Sequence, residues 1–359
     1  MSETPPPARR SYYTLDGLKG LTALIVATRH VPIFFRGLHT PETFLAVDLF
    51  YLLSGFVVAH AYNEHLRAGG FIAAFLKTRL IRLYPFYLLG LAISVIPAGY
   101  AAITDPAGWW NASKLAEAIL TGLFLVPLLP GMHANGGSLD GPTWPLLPEL
   151  AANLVYAIAL PFLRTWVMAL ITLGFAGALI YAEFHFGSLD LGYGVPDQWA
   201  GMVRAGFSFF AGALLFRYFA NRKTISNTAS WLCVALLALA LCFPPPDDLK
   251  PYYELAVVLI GFPVLIAMAA CVEPGARSAR LFAFAGAASY GVYILHQPLG
   301  GLLRIALHNK PPPFEIGLVC GGIFLISLFP LARWIEVHYD APVRRMLQRW
   351  FLQRKPVAA

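Results

Sequence analysis

The chain has 359 residues, of which 58% are hydrophobic and only 13% are charged, and its formal net charge at pH 7 is +7. Soluble domains carry about 25% charged residues, so this composition excludes an ordinary water-soluble protein and favours one that lies in a lipid bilayer. In such a protein an excess of Lys and Arg is expected in the cytoplasmic loops, and it is therefore no sign of nucleic-acid binding.

Eleven apolar segments follow the polar N-terminus, and most have the ~20 residues that a helix needs to cross about 30 Å of hydrocarbon. The first contains Asp16, Lys19 and His30, and no cleavage pattern of a signal peptide follows it, so we interpret it as a retained spanning helix. The segments cover residues 15–35, 43–62, 83–103, 114–130, 143–163, 165–182, 200–218, 227–243, 254–272, 281–303 and 315–335.

The basic residues in the loops indicate how many segments span the membrane. If segment 114–130 spans, the clusters at 217–223, 277–280 and 344–355 lie outside the cell, and if it does not, all three lie inside. Because cytoplasmic loops carry the excess of Lys and Arg, the second arrangement is favoured. We therefore predict an all-α, polytopic membrane protein with about ten transmembrane helices, in which segment 114–130 is interfacial or re-entrant.

Three parts of the chain follow from this topology. Residues 1–14 are predicted to form a cytoplasmic N-terminal tail, residues 15–335 the transmembrane domain, and residues 336–359 a basic cytoplasmic tail. In the last part basic residues alternate with Trp350 and Phe351, a pattern typical of a helix that rests on the inner leaflet, although a frayed basic tail has the same composition.

Four ionisable residues lie within spanning segments, each at a depth that corresponds to the outer half of the membrane. Such residues are costly in a bilayer and are functional candidates, with structural polar packing as the alternative. A histidine at this depth suits a general base, because it exchanges a proton near neutral pH. Asn153 and Tyr156 share a helical face with one of the four and are predicted to line the same cavity. The four residues are His30, Asp48, Glu149 and His296.

A basic motif, KTRLIRLYP, lies on the opposite side of the membrane. Its residues Arg79 and Arg82 are three positions apart and share one face of a helix. Paired guanidinium groups bind phosphate through two hydrogen bonds each, so the motif is a candidate phosphate site, although ordinary positive-inside charge explains it equally simply.

Several common site signatures are missing from the sequence. The four cysteines lie in apolar segments without CxxC or Cys/His spacing, so we expect neither disulfides nor a metal site. No Walker loop, GxGxxG or GxSxG motif is present, which argues against nucleotide hydrolysis and against a soluble hydrolase fold.

Five segments of the chain resemble, in order, the motifs of the acyltransferase-3 family, whose members are membrane-bound enzymes that O-acetylate bacterial surface glycans and related acceptors. The first helix is similar to the family's LDGLRGxAAxxVxxxH opening and places Lys19 and His30 in its R/K-x10-H pattern. The segment AVDLFYLLSGFVVA is similar to the family's VDxFFxLSGF motif and contains Asp48 and Ser54.

The other three motifs lie further along the chain. KTRLIRLYP contains the family's RxxR motif, PTWPLLPELAANLVYAIALP is similar to its W-S-L-x-x-E segment, and SYGVYILHQPL is similar to its S-Y-x-x-Y-x-x-H-x-P motif. They supply Arg79 and Arg82, Trp144 and Glu149, and Tyr293 and His296.

The resemblance implies an acyltransferase with an acyl-coenzyme A donor, usually acetyl-CoA, and without a metal. Pro145 and Pro148 depart from the family pattern and are expected to kink the start of the helix that carries Glu149. The implied catalytic residues are His30, Asp48 and Glu149. The implied donor-binding residues are Lys19, Arg79 and Arg82. The candidate substrate-binding residues are Ser54, Trp144, Tyr293 and His296 from the motifs, and Asn153 and Tyr156 from their helical spacing relative to Glu149.

The expected function is transfer of an acyl group, in most members acetyl, from cytoplasmic acyl-CoA to a hydroxyl of a carbohydrate or lipid-linked glycan outside a bacterial inner membrane. This mechanism requires one continuous passage that joins the arginines to the imidazole. In it His30 acts as the general base, with Asp48 or Glu149 orienting its ring, or else carries the acyl group covalently. Membrane lipids are the other expected partners, and the oligomeric state stays open.

Other functions remain compatible with the residues. Buried His, Asp and Glu also serve proton-coupled secondary transporters, although the chain shows no related halves. The same scaffold accommodates another acyl group, such as succinyl, or a small-molecule acceptor, and a sensor module is a further alternative without a recognisable ligand domain.

Overall fold

The computed structural model describes residues 11–35, 40–67, 70–105, 108–125, 139–194, 196–219 and 224–352. These residues are almost entirely helical, in accord with the predicted all-α class. The helices are α1 Tyr13–His30, α2 Ala46–Arg67, α3 Ile72–Thr104, α4 Ala112–Leu123, α5 Leu146–Ala159, α6 Thr165–Phe186, α7 Gln198–Phe219, α8 Asn227–Cys242, α9 Lys250–Ala256, α10 Phe262–Cys271, α11 Ala276–Ala306, α12 Phe314–Ile335 and α13 Ala341–Leu352.

Two π-helical turns join consecutive helices. Val257–Gly261 joins α9 to α10, and Glu336–Asp340 joins α12 to α13. Two short parallel strands, β1 Thr224–Ile225 and β2 Val272–Glu273, pair beside the start of α1.

The predicted number of about ten spanning helices is not confirmed. Among the described residues, seven helical stretches are long and apolar enough to cross a membrane. Neither α1 nor α11 is among them, and α1 holds three charged residues in its 18 positions. The seven stretches are Thr43–Glu64, Ile72–Thr104, Gly141–Phe162, Thr165–Phe186, Gln198–Phe219, Lys250–Cys271 and Phe314–Leu352.

Segment 114–130 forms a short helix in its described part. Helix α4 has 12 residues, which extend over about 18 Å and so fall short of the ~30 Å hydrocarbon core. Residues 126–130, the end of this segment, lie outside the described residues. The basic tail is likewise helical as far as Leu352, in α13, and residues 353–359 lie outside the described part.

Helices α1 and α11 form the centre of the bundle and run parallel to each other. Gly17 contacts Phe282 near their beginnings, and Gly300 contacts Val31 near their ends. A Cβ atom at Gly20 would lie 2.5 Å from the Cβ of Ala285, so only glycine permits this close approach. We call the end of the bundle where α1 begins the basal end, and the end where α1 finishes the distal end.

The C-terminal helices return to the basal end. Helix α12 begins at the distal end, where Gly321 contacts Phe35, and runs antiparallel to α11 until Ala332 packs on Gly291. The π-helical turn and α13 follow, and α13 packs against α3. The C-terminal segment is therefore held beside the helix that carries the RxxR motif.

Candidate active site

A cavity of about 380 Å³ occupies the basal half of the bundle. Side chains of α1, α2, α3, α5, α11 and the C-terminal segment line it, so residues from distant parts of the sequence meet there. Its polar lining includes Lys19, Ser54, Arg79, Arg82, Glu149 and Arg344.

Glu149 is the centre of a polar network in this cavity. Arg79 donates a hydrogen bond from Nη2 to Glu149 Oε1 over 2.7 Å, and Ser54 donates from Oγ to the same oxygen over 2.6 Å. The Arg79 side chain is only 5% exposed, so its charge is neutralised chiefly by this carboxylate. The structure therefore brings together three residues that the sequence motifs supplied separately.

The expected kink before Glu149 does not displace it. Pro145 is the N-cap residue of α5 and Pro148 lies in the first turn, where a missing N–H costs no hydrogen bond. The Glu149 N–H itself donates to the carbonyl of Pro145 over 3.0 Å. The prolines thus start this helix and do not distort it.

Two further cations face the cavity. Lys19 donates to Asp16 over 2.9 Å within α1. Arg82 presents its side chain to the cavity, and no carboxylate of the described residues lies within ion-pair distance of it. A guanidinium group in this position suits an anionic ligand, because its donors are not already occupied by an acid.

The two imidazole rings meet beyond the cavity, towards the distal end. His296 Nε2 lies 3.1 Å from His30 Nδ1, and the ring centroids are 5.0 Å apart. His296 is fully buried, whereas His30, the last residue of α1, is partly exposed. The parallel packing of α1 on α11 produces this contact between residues 266 positions apart.

Backbone carbonyls assign the tautomers of this pair. A carbonyl only accepts, so His30 Nδ1 donates to Val26 O over 3.0 Å and His296 Nδ1 donates to Val292 O over 3.2 Å. In the neutral pair His296 Nε2 therefore accepts from His30 Nδ1. The basic atom of His30 is then Nε2, and His296 holds its ring in the orientation suited to a general base.

The cavity and the histidine pair are separate in this structure, contrary to the expected continuous passage. Tyr293 lines the cavity, and its ring centroid is 5.9 Å from that of His296, one helical turn further along α11. Phe50 packs edge-on against Tyr293 at 5.3 Å. Among the described lining residues neither His30 nor His296 occurs, whereas Phe50 and Tyr293 both do, so we interpret the contact of these two rings as the distal limit of the cavity.

Asp48 pairs with a different residue from His30, its expected partner. It forms an ion pair with Arg204, 2.6 Å between Oδ2 and Nη2, and both side chains are at most 1% exposed. Arg204 also donates to the carbonyl of Phe44 over 2.8 Å. The structure thus makes Asp48 an anchor between α2 and α7 and does not place it beside His30. Asp48 is also not among the described residues that line the cavity.

Arg204 was missed by the sequence analysis, although a signal for it was present. It is an ionisable residue inside the apolar segment 200–218, the same criterion that singled out the other four. The sequence therefore already contained a cation within a spanning segment that could pair with Asp48.

Besides His296, three expected substrate-binding residues do not line the cavity. Trp144 packs near Arg204, whose guanidinium carbon is 5.7 Å from the ring centroid. Asn153 donates to the backbone carbonyl of Glu149 over 2.7 Å, within its own helix. Tyr156 is fully buried against Phe209. Burial by neighbouring helices, which helical spacing alone does not reveal, removes Asn153 and Tyr156 from the cavity surface, and Trp144 faces Arg204 instead.

A buried acidic cluster at the distal end was also not predicted. Glu254 accepts from the backbone N–H of Leu189 over 2.6 Å, and Glu42 and Glu183 are fully buried nearby. Burial and the charge of Glu254 raise the pKa of the Glu42 carboxyl to about 7. The three glutamates come from distant segments, so no spacing in the sequence indicated their contact.

Known proteins share sequence similarity with much of this chain. The family model described as an acyltransferase domain matches residues 12–331. "Protein 2 in picA locus" of Rhizobium radiobacter is 40% identical over 169 residues, which cover 44% of this chain and 85% of that protein. A protein of Acidianus two-tailed virus with the provisional name acetyltransferase ORF330 is 23% identical over 330 residues, 88% of this chain and 89% of its own length.

No solved structure matches the chain at a comparable level of significance. The family match extends over nearly the whole described bundle, from the start of α1 to the last turns of α12. It includes Arg79, Arg82, Glu149 and the histidine pair. This polytopic membrane protein therefore belongs to the acyltransferase-3 family.

Proposed function

We propose that the protein is an O-acyltransferase that moves an acyl group, most simply acetyl, from an acyl-CoA bound at the basal end to a hydroxyl group presented at the distal end. The observation that carries the proposal is the contact between His30 and His296, one helical turn beyond a cavity that contains unpaired positive charge. The provisional name of the viral relative supports acetyl as the group.

The basal cavity has the chemistry that a coenzyme A thioester requires. Its phosphates are anionic and suit Arg82, Lys19 and the guanidinium of Arg79. The wall beyond these residues is formed by apolar and aromatic groups such as Phe50, which suit the pantetheine arm and a short acyl group. The donor therefore lies with its thioester towards the distal end.

His30 then carries out the proton transfers, and His296 positions its ring. His30 Nε2 takes the proton of the acceptor hydroxyl, and the oxygen attacks the thioester carbonyl carbon. The C–S bond breaks, the new ester forms, and the leaving thiolate takes the proton from His30, so the imidazole returns to its neutral state. During the step the positive ring of His30 donates from Nδ1 to Val26 O and His296 Nε2, which stabilises its charge.

The proposal requires that the aromatic contact between Phe50 and Tyr293 opens when the donor is bound. Tyr293 is held by a hydrogen bond from its hydroxyl to the carbonyl of Pro142, whereas Phe50 is only partly buried. Rotation of the Phe50 ring is therefore the simpler change. It connects the cavity to the histidine pair only when a donor is present, which limits hydrolysis of the thioester by water.

We further propose that the basal end faces the cytoplasm of a bacterial inner membrane and that the acceptor is a carbohydrate or lipid-linked glycan. The basal end carries Arg344, Arg345 and Arg349 of α13, as cytoplasmic surfaces commonly do. Acyl-CoA is a cytoplasmic metabolite, so this orientation places the cavity towards its supply.

Replacement of His30 by Ala tests the proposal. We expect the rate of acyl transfer to fall about 10²–10⁴-fold, because the general base is lost, with the protein still present in the membrane. Mass spectrometry of surface glycans from cells with the wild-type gene, the variant gene or no gene measures the transferred group.

A matched histidine serves as the control. His308 lies in a distal turn with φ at +51°, a conformation that Asn tolerates, so His308→Asn should transfer acyl groups at the wild-type rate. Full activity of His30→Ala would refute the role of His30. Unmodified glycans in wild-type cells, together with uptake of a labelled substrate, would instead favour a transporter.

A further inference from the structure

The C-terminal segment contributes a cation to the cavity beyond the part of the chain that the family match covers. Arg344 lies in α13, thirteen positions after the last matched residue, and its side chain lines the cavity together with Glu336 and Asp340. This region was predicted to be a tail and all five family motifs lie before it, so no motif assigns Arg344 a role.

The π-helical turn explains how Arg344 reaches the cavity. Glu336–Asp340 adds one residue to a turn of helix, which rotates the following residues relative to α12. Tyr339 in this turn donates from its hydroxyl to the carbonyl of Pro85 on α3 over 3.2 Å, which fixes the segment beside the RxxR helix. Such a bulge in a continuous helix is frequent at functional sites.

Two carboxylates orient the Arg344 guanidinium without using all its donors. Arg344 Nε lies 2.8 Å from Asp340 Oδ2, and its Nη2 lies 3.6 Å from Glu336 Oε1. A guanidinium has five N–H groups, so those on Nη1 remain available to a further acceptor. The side chain is 25% exposed, which leaves its end accessible from the cavity.

We propose that Arg344 binds a phosphate group of the acyl-CoA donor at the basal end of the cavity, as a third guanidinium beside Arg79 and Arg82. This inference rests on the proposed function, because it concerns the same donor. The Arg79 side chain is only 5% exposed and paired with Glu149, whereas the Arg344 side chain is 25% exposed and keeps its Nη1 donors for a phosphate of a donor that enters from the basal side. Arg344 is thus a donor-binding residue and not a catalytic one.

Binding of radiolabelled acetyl-CoA to the full chain in nanodiscs of phosphatidylcholine tests the inference without an acceptor. Arg344→Gln should raise the Kd for acetyl-CoA about tenfold or more, as expected when a charge-assisted hydrogen bond is lost. Arg345→Gln is the matched control, because the side chain of Arg345 is next to Arg344 in sequence but is exposed and is not among the described lining residues. The Kd of this variant for acetyl-CoA should equal that of the wild type.

Competition by donor fragments identifies the group that Arg344 binds. Unlabelled coenzyme A should compete about tenfold less well in Arg344→Gln than in the wild type, whereas pantetheine, which lacks the phosphates, should compete equally in both. Competition by coenzyme A in Arg344→Lys should be intermediate between the wild type and Arg344→Gln, since lysine keeps the charge but lacks the planar guanidinium. Melting curves that coincide with the wild type show that the variant is folded.

The outcomes separate this inference from the proposed function. Wild-type protein that fails to bind acetyl-CoA saturably would contradict the proposed function itself. Wild-type protein that binds, with an unchanged Kd in Arg344→Gln, would overturn only the role of Arg344. An effect of Arg344→Gln that appears only with anionic lipid in the nanodisc would assign the residue to a lipid phosphate and also overturn the inference.

Discussion

His296 has a role that differs from that of His30, although both are histidines in contact. Its Nε2 accepts from His30 and its Nδ1 donates to the carbonyl of Val292, so both of its nitrogens are occupied. It is also fully buried and lines no described cavity. We therefore propose that His296 positions the ring of His30 and that only His30 exchanges a proton with a substrate.

Substitutions of His296 test this division. His296→Leu removes the acceptor and should lower kcat about 10- to 100-fold, part of the 10²–10⁴ that general-base catalysis contributes, while the KM for the acyl donor stays unchanged. His296→Gln keeps an acceptor oxygen and should restore most of kcat. Steady-state kinetics with acetyl-CoA measures both constants. Equal losses in the two variants would indicate a purely structural role for the ring.

The residues of the site were predictable to different degrees. Intramembrane polarity singled out His30, Asp48, Glu149 and His296, and the structure pairs the two histidines directly. It joins Asp48 to Arg204 instead, because the parallel packing of α2 on α7 brings those charges together. The free-energy cost of a charged side chain in the bilayer indicates that the residue has a partner, but only the packing of the helices determines which residue that is.

Glycines determine how closely the helices pack in this bundle. Helices α2 and α7 approach so closely that a Cβ atom at Gly55 would lie 2.0 Å from the carbonyl oxygen of Phe209. A Cβ atom at Gly212 would lie equally close to the carbonyl oxygen of Leu52. Small residues at such contacts are typical of helix packing in membranes, where close van der Waals contact replaces the hydrophobic effect.

Gly212→Ala should consequently destabilise the protein by about 1–3 kcal/mol, because backbone atoms cannot move aside as a flexible side chain can. The midpoint of thermal denaturation in detergent measures the loss. Gly174→Ala on α6 is the control, since no atom lies within 4 Å of its Cβ position, and its midpoint should remain close to that of the wild type. A Gly212→Ala variant as stable as the wild type would contradict the close contact.

Apolar patterns predicted most helices but not the way in which they join. Segment 254–272 matches α9, a π-helical turn and α10 in one stretch, and segment 315–335 matches α12. The continuation of α12 through Glu336–Asp340 into α13 was not predictable, because a π-helical turn is set by tertiary contacts such as that of Tyr339 with Pro85. The cavity therefore contains more of the C-terminal segment than the sequence suggested.

The bundle as a whole separates the cations of the cavity from the histidine pair. Cations from α1, α3 and α13 surround the basal half of the cavity, and the imidazoles of α1 and α11 meet towards the distal end. This division suits a donor with an anionic body and a short neutral acyl group. The charge bias of the sequence predicted the basal cations, whereas the closure of the cavity by Phe50 and Tyr293 depends on packing and was not foreseen.

Photolabelling shows most directly whether the acyl group reaches the histidine pair. A coenzyme A thioester whose short acyl group carries a diazirine is bound to the wild-type chain, irradiated, and the adducts are located by mass spectrometry. The account predicts adducts at the distal end of the cavity, on Phe50, Tyr293 or their neighbours, that excess acetyl-CoA prevents. Adducts confined to the basal residues Lys19 and Arg344, or to the lipid-facing surface of α6, would contradict it.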